Sequence, residues 1–105
     1  MGLFDKKDDT VASAGETPGV MPITNVFGIP TGCVVSGKIT EGSFMVGDDV
    51  IVFHEDGTQT ETNIKALEVG LGKMFDIVTE GQHVAIQLNG IDKSAVNPGS
   101  VLKKI

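Results

Sequence analysis

Arginine, tryptophan and tyrosine are absent from this sequence of 105 residues, and cysteine occurs only once. Arginine makes most of the paired hydrogen bonds that proteins form with phosphates and base edges. Its absence, together with a formal net charge of −6, argues against a free-standing DNA- or RNA-binding domain. A single cysteine allows no intramolecular disulfide, which fits a reducing compartment.

Long apolar runs are also missing. No stretch approaches the roughly 20 residues that a membrane-spanning helix needs. The N-terminal region lacks the apolar stretch and the small-residue cleavage site of a secretory signal. We therefore expect a cytoplasmic protein that does not enter a membrane.

The first 19 residues differ in composition from the rest of the chain. A charged cluster at 5–9 is followed by small and polar residues, and the apolar pair Leu3 and Phe4 stands before it. Such a segment buries too little apolar surface to offset the entropy lost on ordering. We expect a flexible charged tail over 1–19 and one domain over 20–105. Leu3 and Phe4 are either an idle start of the chain or a small docking anchor.

Short apolar segments that alternate with polar residues fill the region 20–105, and no helical period is sustained over three turns. Strands are predicted at 32–39, 50–53, 58–69 and 84–88, and Asp56-Gly57 is a hairpin signal. The segment 74–78 is either a short strand or a helical turn. This pattern predicts an all-β domain, and closure into a small barrel would remove exposed sheet edges.

Several phrases of this region occur together in a fixed order. They are Pro22-Ile23 with Val26-Phe27, then Gly32-Cys33-Val34-Val35-Ser36-Gly37-Lys38-Ile39, then Val46-Gly47-Asp48, Gly81-Gln82-His83-Val84, Gly90-Ile91 and Pro98-Gly99-Ser100-Val101-Leu102. In order and spacing they resemble the β-barrel second domain of the translation GTPases, closest in pattern to elongation factor Tu. The resemblance implies a closed, antiparallel Greek-key barrel of about six strands and a binding module without catalytic activity.

A GTPase domain has no counterpart in this sequence. The nearest approach to a phosphate loop is Gly72-Lys73, but that motif needs Gly at position 67 and Ser or Thr at position 74. Leu67 and Met74 occupy those positions. We expect no direct binding of GTP and no cofactor.

The resemblance implies two candidate binding sites. In the family, a glutamate after an aliphatic strand end contacts the terminal adenosine of transfer RNA, and Leu67-Glu68-Val69 resembles that phrase. The family also touches the small ribosomal subunit with the loop before the Val-Val strand, which here is Gly28, Ile29, Pro30, Thr31 and Gly32. The alternatives are a solvated glutamate at a strand end and a plain β-loop.

Other reactive side chains form no catalytic or metal-binding pattern. Cys33 lies in an apolar run and is interpreted as a buried small residue, and no spacing links it to His54 or His83. We predict no enzyme activity and no metal site. The function expected from the sequence is a binding module that associates with the ribosome, transfer RNA or a translation factor. The alternative is a protein–protein interaction adaptor of unknown pathway whose N-terminal tail docks a partner.

Overall fold

A computed structural model shows the fold and describes residues 17–70 and 72–105. The expectation of an all-β domain is confirmed, because this part of the chain consists of ten strands and one short 3₁₀ turn. The elements in chain order are β1 (Val20–Pro22), β2 (Asn25–Ile29), β3 (Gly32–Lys38), β4 (Ser43–Met45), β5 (Asp49–Phe53), β6 (Gln59–Val69), β7 (Lys73–Phe75), β8 (Ile77–Thr79), β9 (His83–Asn89), the 3₁₀ turn Lys93–Ala95 and β10 (Val101–Lys104).

Eight strands form one antiparallel sheet in the order β1-β10-β5-β6-β9-β3-β2, with β7 paired to β6. Strands β4 and β8 form a separate two-stranded ribbon. The prediction of a closed barrel is wrong, because within the described residues the pairing path ends at β1 and β2, which do not pair with each other. Other backbone and side chains shield these two end strands. Val20 of β1 exchanges backbone hydrogen bonds with Thr40 and Glu41, and the Lys93 side chain lies against Gly28 of β2.

The prediction of about six strands is also wrong. Strands β1, β4, β7 and β8 have only three residues each, too few to show an alternating apolar pattern. The segment 74–78 is neither one strand nor a helical turn. It changes partner at Asp76, since Phe75 pairs with Leu67 of β6 whereas Ile77 pairs with Met45 of β4.

The hydrophobic core consists mainly of the inward-facing residues of the long strands. On β3 and β9 every second side chain is buried, including Cys33, Val35, Ile86 and Leu88. Phe44 of β4 is the one aromatic side chain in the core among the described residues. Burying each such side chain stabilises the fold by roughly 1.5–3 kcal/mol.

Two further features set the outline of the folded part. A Cβ atom at Gly37 would lie 2.2 Å from the carbonyl oxygen of Pro22, so only glycine lets the end of β1 pass this closely over β3. At the chain's entry, Pro18 forms a bridge with Ser43, and the Lys104 N–H donates to the Gly19 carbonyl. The predicted tail, with Leu3 and Phe4, falls on residues 1–16 outside the described part, apart from Thr17, Pro18 and Gly19.

Candidate functional site

The outward side of the sheet formed by β2, β3, β9, β6 and β7 carries a row of aligned residues. The strand registers place Asn25, Ser36, Ala85, Glu68 and Met74 side by side across these five strands. With neighbouring strands about 4.8 Å apart, the row extends over roughly 19 Å. We call this surface the outer face.

The central strands of the outer face carry a shallow cleft near one end, because the floor there is made of small side chains. The cleft has a volume of about 290 Å³, and its lining includes Ser36, Gly37 and Ala85 on the floor and Asn25, Glu68 and His83 at the sides. Two large apolar side chains lie on the outer face outside this cleft. Phe27 on β2 is 56% exposed and Met74 on β7 is 62% exposed.

Glu68, the first site residue predicted from the sequence, lies in the wall of this cleft and is half-buried. Its Oε2 atom accepts a hydrogen bond of 2.9 Å from the backbone N–H of Gly72. Glu68 therefore contributes to the turn between β6 and β7, and its side chain is held at the rim of the cleft.

Basic side chains stand at one end of the cleft. Lys38 and His83 are cross-strand partners at the adjoining ends of β3 and β9, and both are exposed. The described residues as a whole contain ten acidic and six basic side chains, if the four acids and two lysines of residues 1–16 are subtracted from the 14 and eight of the full chain. Lys38 is therefore one of few cations in a domain whose charge is mainly negative.

The second predicted site, residues 28–32, is the hairpin that joins β2 to β3. Gly28 and Ile29 end β2, Pro30 and Thr31 form the turn, and Gly32 begins β3. The turn borders a shallow cleft of about 250 Å³ whose opposite wall is formed by Gly90, Ile91 and Asp92.

The side chain of Lys93, which lies far from this hairpin in sequence, packs against it. A Cβ atom at Gly28 would lie 2.9 Å from Cδ of Lys93, so the stem of this lysine covers the glycine. The carboxylate of Asp92 accepts hydrogen bonds from the backbone N–H and the hydroxyl of Ser94 and thereby caps the 3₁₀ turn that carries Lys93. These hydrogen bonds hold the pKa of Asp92 below its usual value.

The structure does not bring the two predicted sites together. Glu68 is level with Ala85 on β9, whereas Gly32 is level with Asn89. Four residues along a strand correspond to about 13 Å. Glu68 and the 28–32 hairpin therefore belong to two separate clefts at different ends of the outer face.

The reactive side chains considered in the sequence also lie apart. Cys33 is buried in the core, as predicted, and burial, followed by the nearby charge of Asp92, raises its pKa. Its partner on β9 is Leu88, five residues from His83, so thiol and imidazole form no pair. Across residues 17–70 and 72–105, no group of three or more His, Cys, Asp or Glu side chains is placed to hold a metal ion. None of the helical structure in these residues is long and apolar enough to span a membrane.

Sequence reasoning missed several residues of the outer face. Asn25 and Phe27 alternate with the inward Val26, so the period of two along β2 was a usable signal. The approach of Lys93 to Gly28, by contrast, joins positions 65 residues apart. The alignment of Ser36, Ala85 and Glu68 likewise depends on a register that no local pattern encodes.

Comparison with solved structures finds the same fold in a translation factor. The chain resembles translation elongation factor SelB from Methanococcus maripaludis, in its apo form, with a TM-score of 0.74 and 25% sequence identity. The match covers 84% of this chain and 19% of that protein, so the chain spans less than a fifth of its length. No protein-family model matches the sequence.

The expected resemblance to the second domain of elongation factor Tu is confirmed by this likeness and by the all-strand architecture. In all, 190 chains of known structure match this chain. A fold that occurs so often does not by itself choose a partner, and function has to be argued from the surfaces.

Proposed function

We propose that this protein is a non-catalytic, cytoplasmic binding module of the translation machinery. It associates through its outer face with the ribosome, with transfer RNA or with a translation factor. The observation that carries the proposal is the structural likeness to a translation elongation factor over 84% of the chain. We also propose that the strands are connected as a Greek key, as the resemblance implies.

The cleft beside Glu68 supports a role in binding the end of a nucleic acid strand. Its small floor, which includes Ser36 and Ala85, leaves room for a base. Asn25, Ser36 and His83 add groups that donate and accept hydrogen bonds. In this proposal Glu68 accepts hydrogen bonds from the sugar or base while its other bond keeps the β6–β7 turn in place.

The 28–32 hairpin supports a contact with ribosomal RNA. The tip of this loop, Pro30 and Thr31, carries no charge. The stem of Lys93 lies against Gly28, and this lysine follows Asp92 of the opposite wall, so it brings one positive charge near the hairpin. One lysine beside one aspartate provides little attraction for phosphates, so shape and apolar contact must contribute most of this binding.

The net charge of the chain predicts how its binding affinity depends on salt concentration. A protein that neutralises many phosphates loses affinity steeply as salt rises, because each contact releases counterions. This chain has no arginine and a net charge of −6, so few phosphates can be neutralised. Binding to the translation machinery is therefore expected to change little between low and physiological salt.

The test is co-sedimentation of the full chain with purified ribosomes and ribosomal subunits, at low and at physiological salt. We expect binding at both, reduced by a Thr31→Asp/Ile29→Ser change in the hairpin. The matched control is Gln59→Asp at the start of β6, an exposed position outside both clefts of the outer face. Binding that disappears at physiological salt, or equal loss in the control, would reject a ribosomal role.

A protein partner is the second candidate function. The net charge and the missing arginine favour it, and exposed Phe27 and Met74 are typical of side chains buried in protein interfaces. In this alternative the segment 1–19 takes part in docking. Deletion of residues 1–19 would abolish capture of the partner under the adaptor hypothesis, whereas binding through the outer face would persist.

A further inference from the structure

A second exposed surface lies at the end of the β4–β8 ribbon. Met45 and Ile77 are cross-strand partners there, and the backbone N–H of Val46 donates to the carbonyl of Asp76 at 3.0 Å. Four apolar side chains, Met45, Val46, Phe75 and Ile77, are therefore neighbours, and each is 39–44% exposed. We call this surface the ribbon patch. Clusters of this kind on small domains mark interaction sites.

The backbone of β8 is also open at this place. The backbone N–H of Val46 bonds to Asp76, and that of Glu80 bonds to Gly42. Hydrogen-bonded pairs recur every second residue, so the Phe44–Val78 pair between them is hydrogen-bonded and the Met45–Ile77 pair is not. Ile77 therefore occupies a non-hydrogen-bonded position, so its own N–H and C=O point away from β4. Among the described strands β8 pairs only with β4, and the next outward N–H, that of Thr79, is satisfied by the side chain of Gln82 at 2.7 Å.

Charges of both signs surround the ribbon patch. Lys73 and Asp76 are exposed at the two sides of Phe75. Lys65 follows Ile64, whose carbonyl accepts a 2.8 Å hydrogen bond from Gly47, so it lies beside Val46. Within the described residues the only ion pair is Lys104–Asp48, which leaves Lys65, Lys73 and Asp76 without one.

We propose that the ribbon patch is a homodimer interface, occupied by a second copy of this chain across a two-fold axis near Phe75. A two-fold axis brings each residue opposite the same region of the partner, so a surface must be self-complementary to bind itself. The ribbon patch meets that condition, because an antiparallel approach places Lys73 of one copy near Asp76 of the other while the apolar side chains meet in between. A patch of one sign would repel its own copy.

The test is sedimentation equilibrium of the full chain over protein concentrations from about 1 μM to 1 mM, a range that covers weak, small interfaces. We expect a monomer–dimer equilibrium whose dissociation constant rises by about ten-fold or more in Met45→Ser and Ile77→Ser. Phe27→Ser is the matched control, because Phe27 is equally apolar and more exposed but lies on the outer face, and it leaves the equilibrium unchanged.

Charge exchange makes the test specific for a self-complementary contact. Lys73→Glu and Asp76→Lys each weaken self-association alone, and an equimolar mixture of the two variants restores a dimer. A wild-type chain that stays monomeric to 1 mM overturns the proposal and leaves the ribbon patch to a different partner. A dimer that Phe27→Ser weakens as much as Ile77→Ser, or a mixture that stays monomeric, overturns it as well.

Discussion

The outer face and the ribbon patch are both exposed, but they are built in opposite ways. The outer face is composed of five strands in register, and small or polar side chains fill its centre. The ribbon patch lies at the end of two three-residue strands and exposes mainly large apolar side chains. A broad sheet can present a shaped cleft, whereas a short ribbon offers a flat apolar contact. The two surfaces therefore suit different partners.

The sharpest way to break this comparison is within β4 itself, where neighbouring side chains point in opposite directions. Phe44 is fully buried and Met45 is exposed. We expect Phe44→Ala to lower the free energy of unfolding by about 3–5 kcal/mol, because it leaves a cavity under the ribbon. Met45→Ala should change it by no more than roughly 0.5 kcal/mol. Urea denaturation of the two variants measures the difference, and equal losses would contradict the assignment of faces.

Under the outer face, the close passage of β1 over β3 is tested by Gly37→Ala. The new Cβ atom would approach the Pro22 carbonyl oxygen to 2.2 Å, so the backbones must separate. We expect a loss of about 1–3 kcal/mol in unfolding free energy. Ser36→Ala, one residue away on the outward side, is the control and should be nearly neutral. A stable Gly37→Ala variant would show that β1 does not lie so close to β3.

The support beneath the ribbon patch is tested by Asp48→Ala. One carboxylate oxygen of Asp48 accepts the Met45 backbone N–H at 2.7 Å, and the other pairs with Lys104 at 2.8 Å. Because both contacts involve a charged group that is largely shielded from water, we expect a loss of about 1–3 kcal/mol. Lys104→Met removes only the ion pair and leaves the carboxylate its hydrogen bond from Met45, so it should cost less than Asp48→Ala. Thermal unfolding of both variants gives the ranking, and a larger effect of Lys104→Met would refute it.

The smallest expected effect is a dependence of stability on acidic pH. Hydrogen bonds from Ser94 lower the pKa of Asp92, and those from Thr58 lower the pKa of Asp56. A carboxyl whose pKa is lower in the folded state adds stability above its unfolded value, roughly 3.9, and loses it as pH falls through the folded value. We expect the melting temperature to decrease below about pH 4. This decrease should be smaller in Asp92→Ala, and an unchanged decrease would assign it to other carboxyls.

Much of this fold is local and could therefore be predicted from the sequence. The long strands β3, β5, β6 and β9 show period-two alternation, and Asp56-Gly57 forms the predicted hairpin with Gly57 at a φ of 91°. Strands β1, β7 and β8 were not predicted as separate strands, because three residues carry no period and Asp76 divides one apolar segment between two partners. Closure of the sheet was not a local property either, since it depends on how β1 and β2 are placed.

The same distinction between local and long-range features applies to the candidate site. A resemblance could point to Glu68 and to the 28–32 hairpin, because both lie inside recognisable phrases. It could not show that Glu68 bonds to Gly72, or that Lys93 covers Gly28, because these contacts join segments that only the folded chain brings together. The ribbon patch could not be predicted either, since its exposed apolar residues resemble core residues in the sequence.

The most direct test of the proposed function is to map the bound surface on isotope-labelled full chain by transferred cross-saturation of its backbone amides from unlabelled ribosomes at physiological salt. The account predicts selective loss of signals from the outer face, above all Ser36, Ala85, Glu68 and the 28–32 hairpin, with the ribbon patch unaffected. Signals that all keep their intensity, or losses confined to Met45 and Ile77, would contradict the assignment of the outer face to the translation machinery.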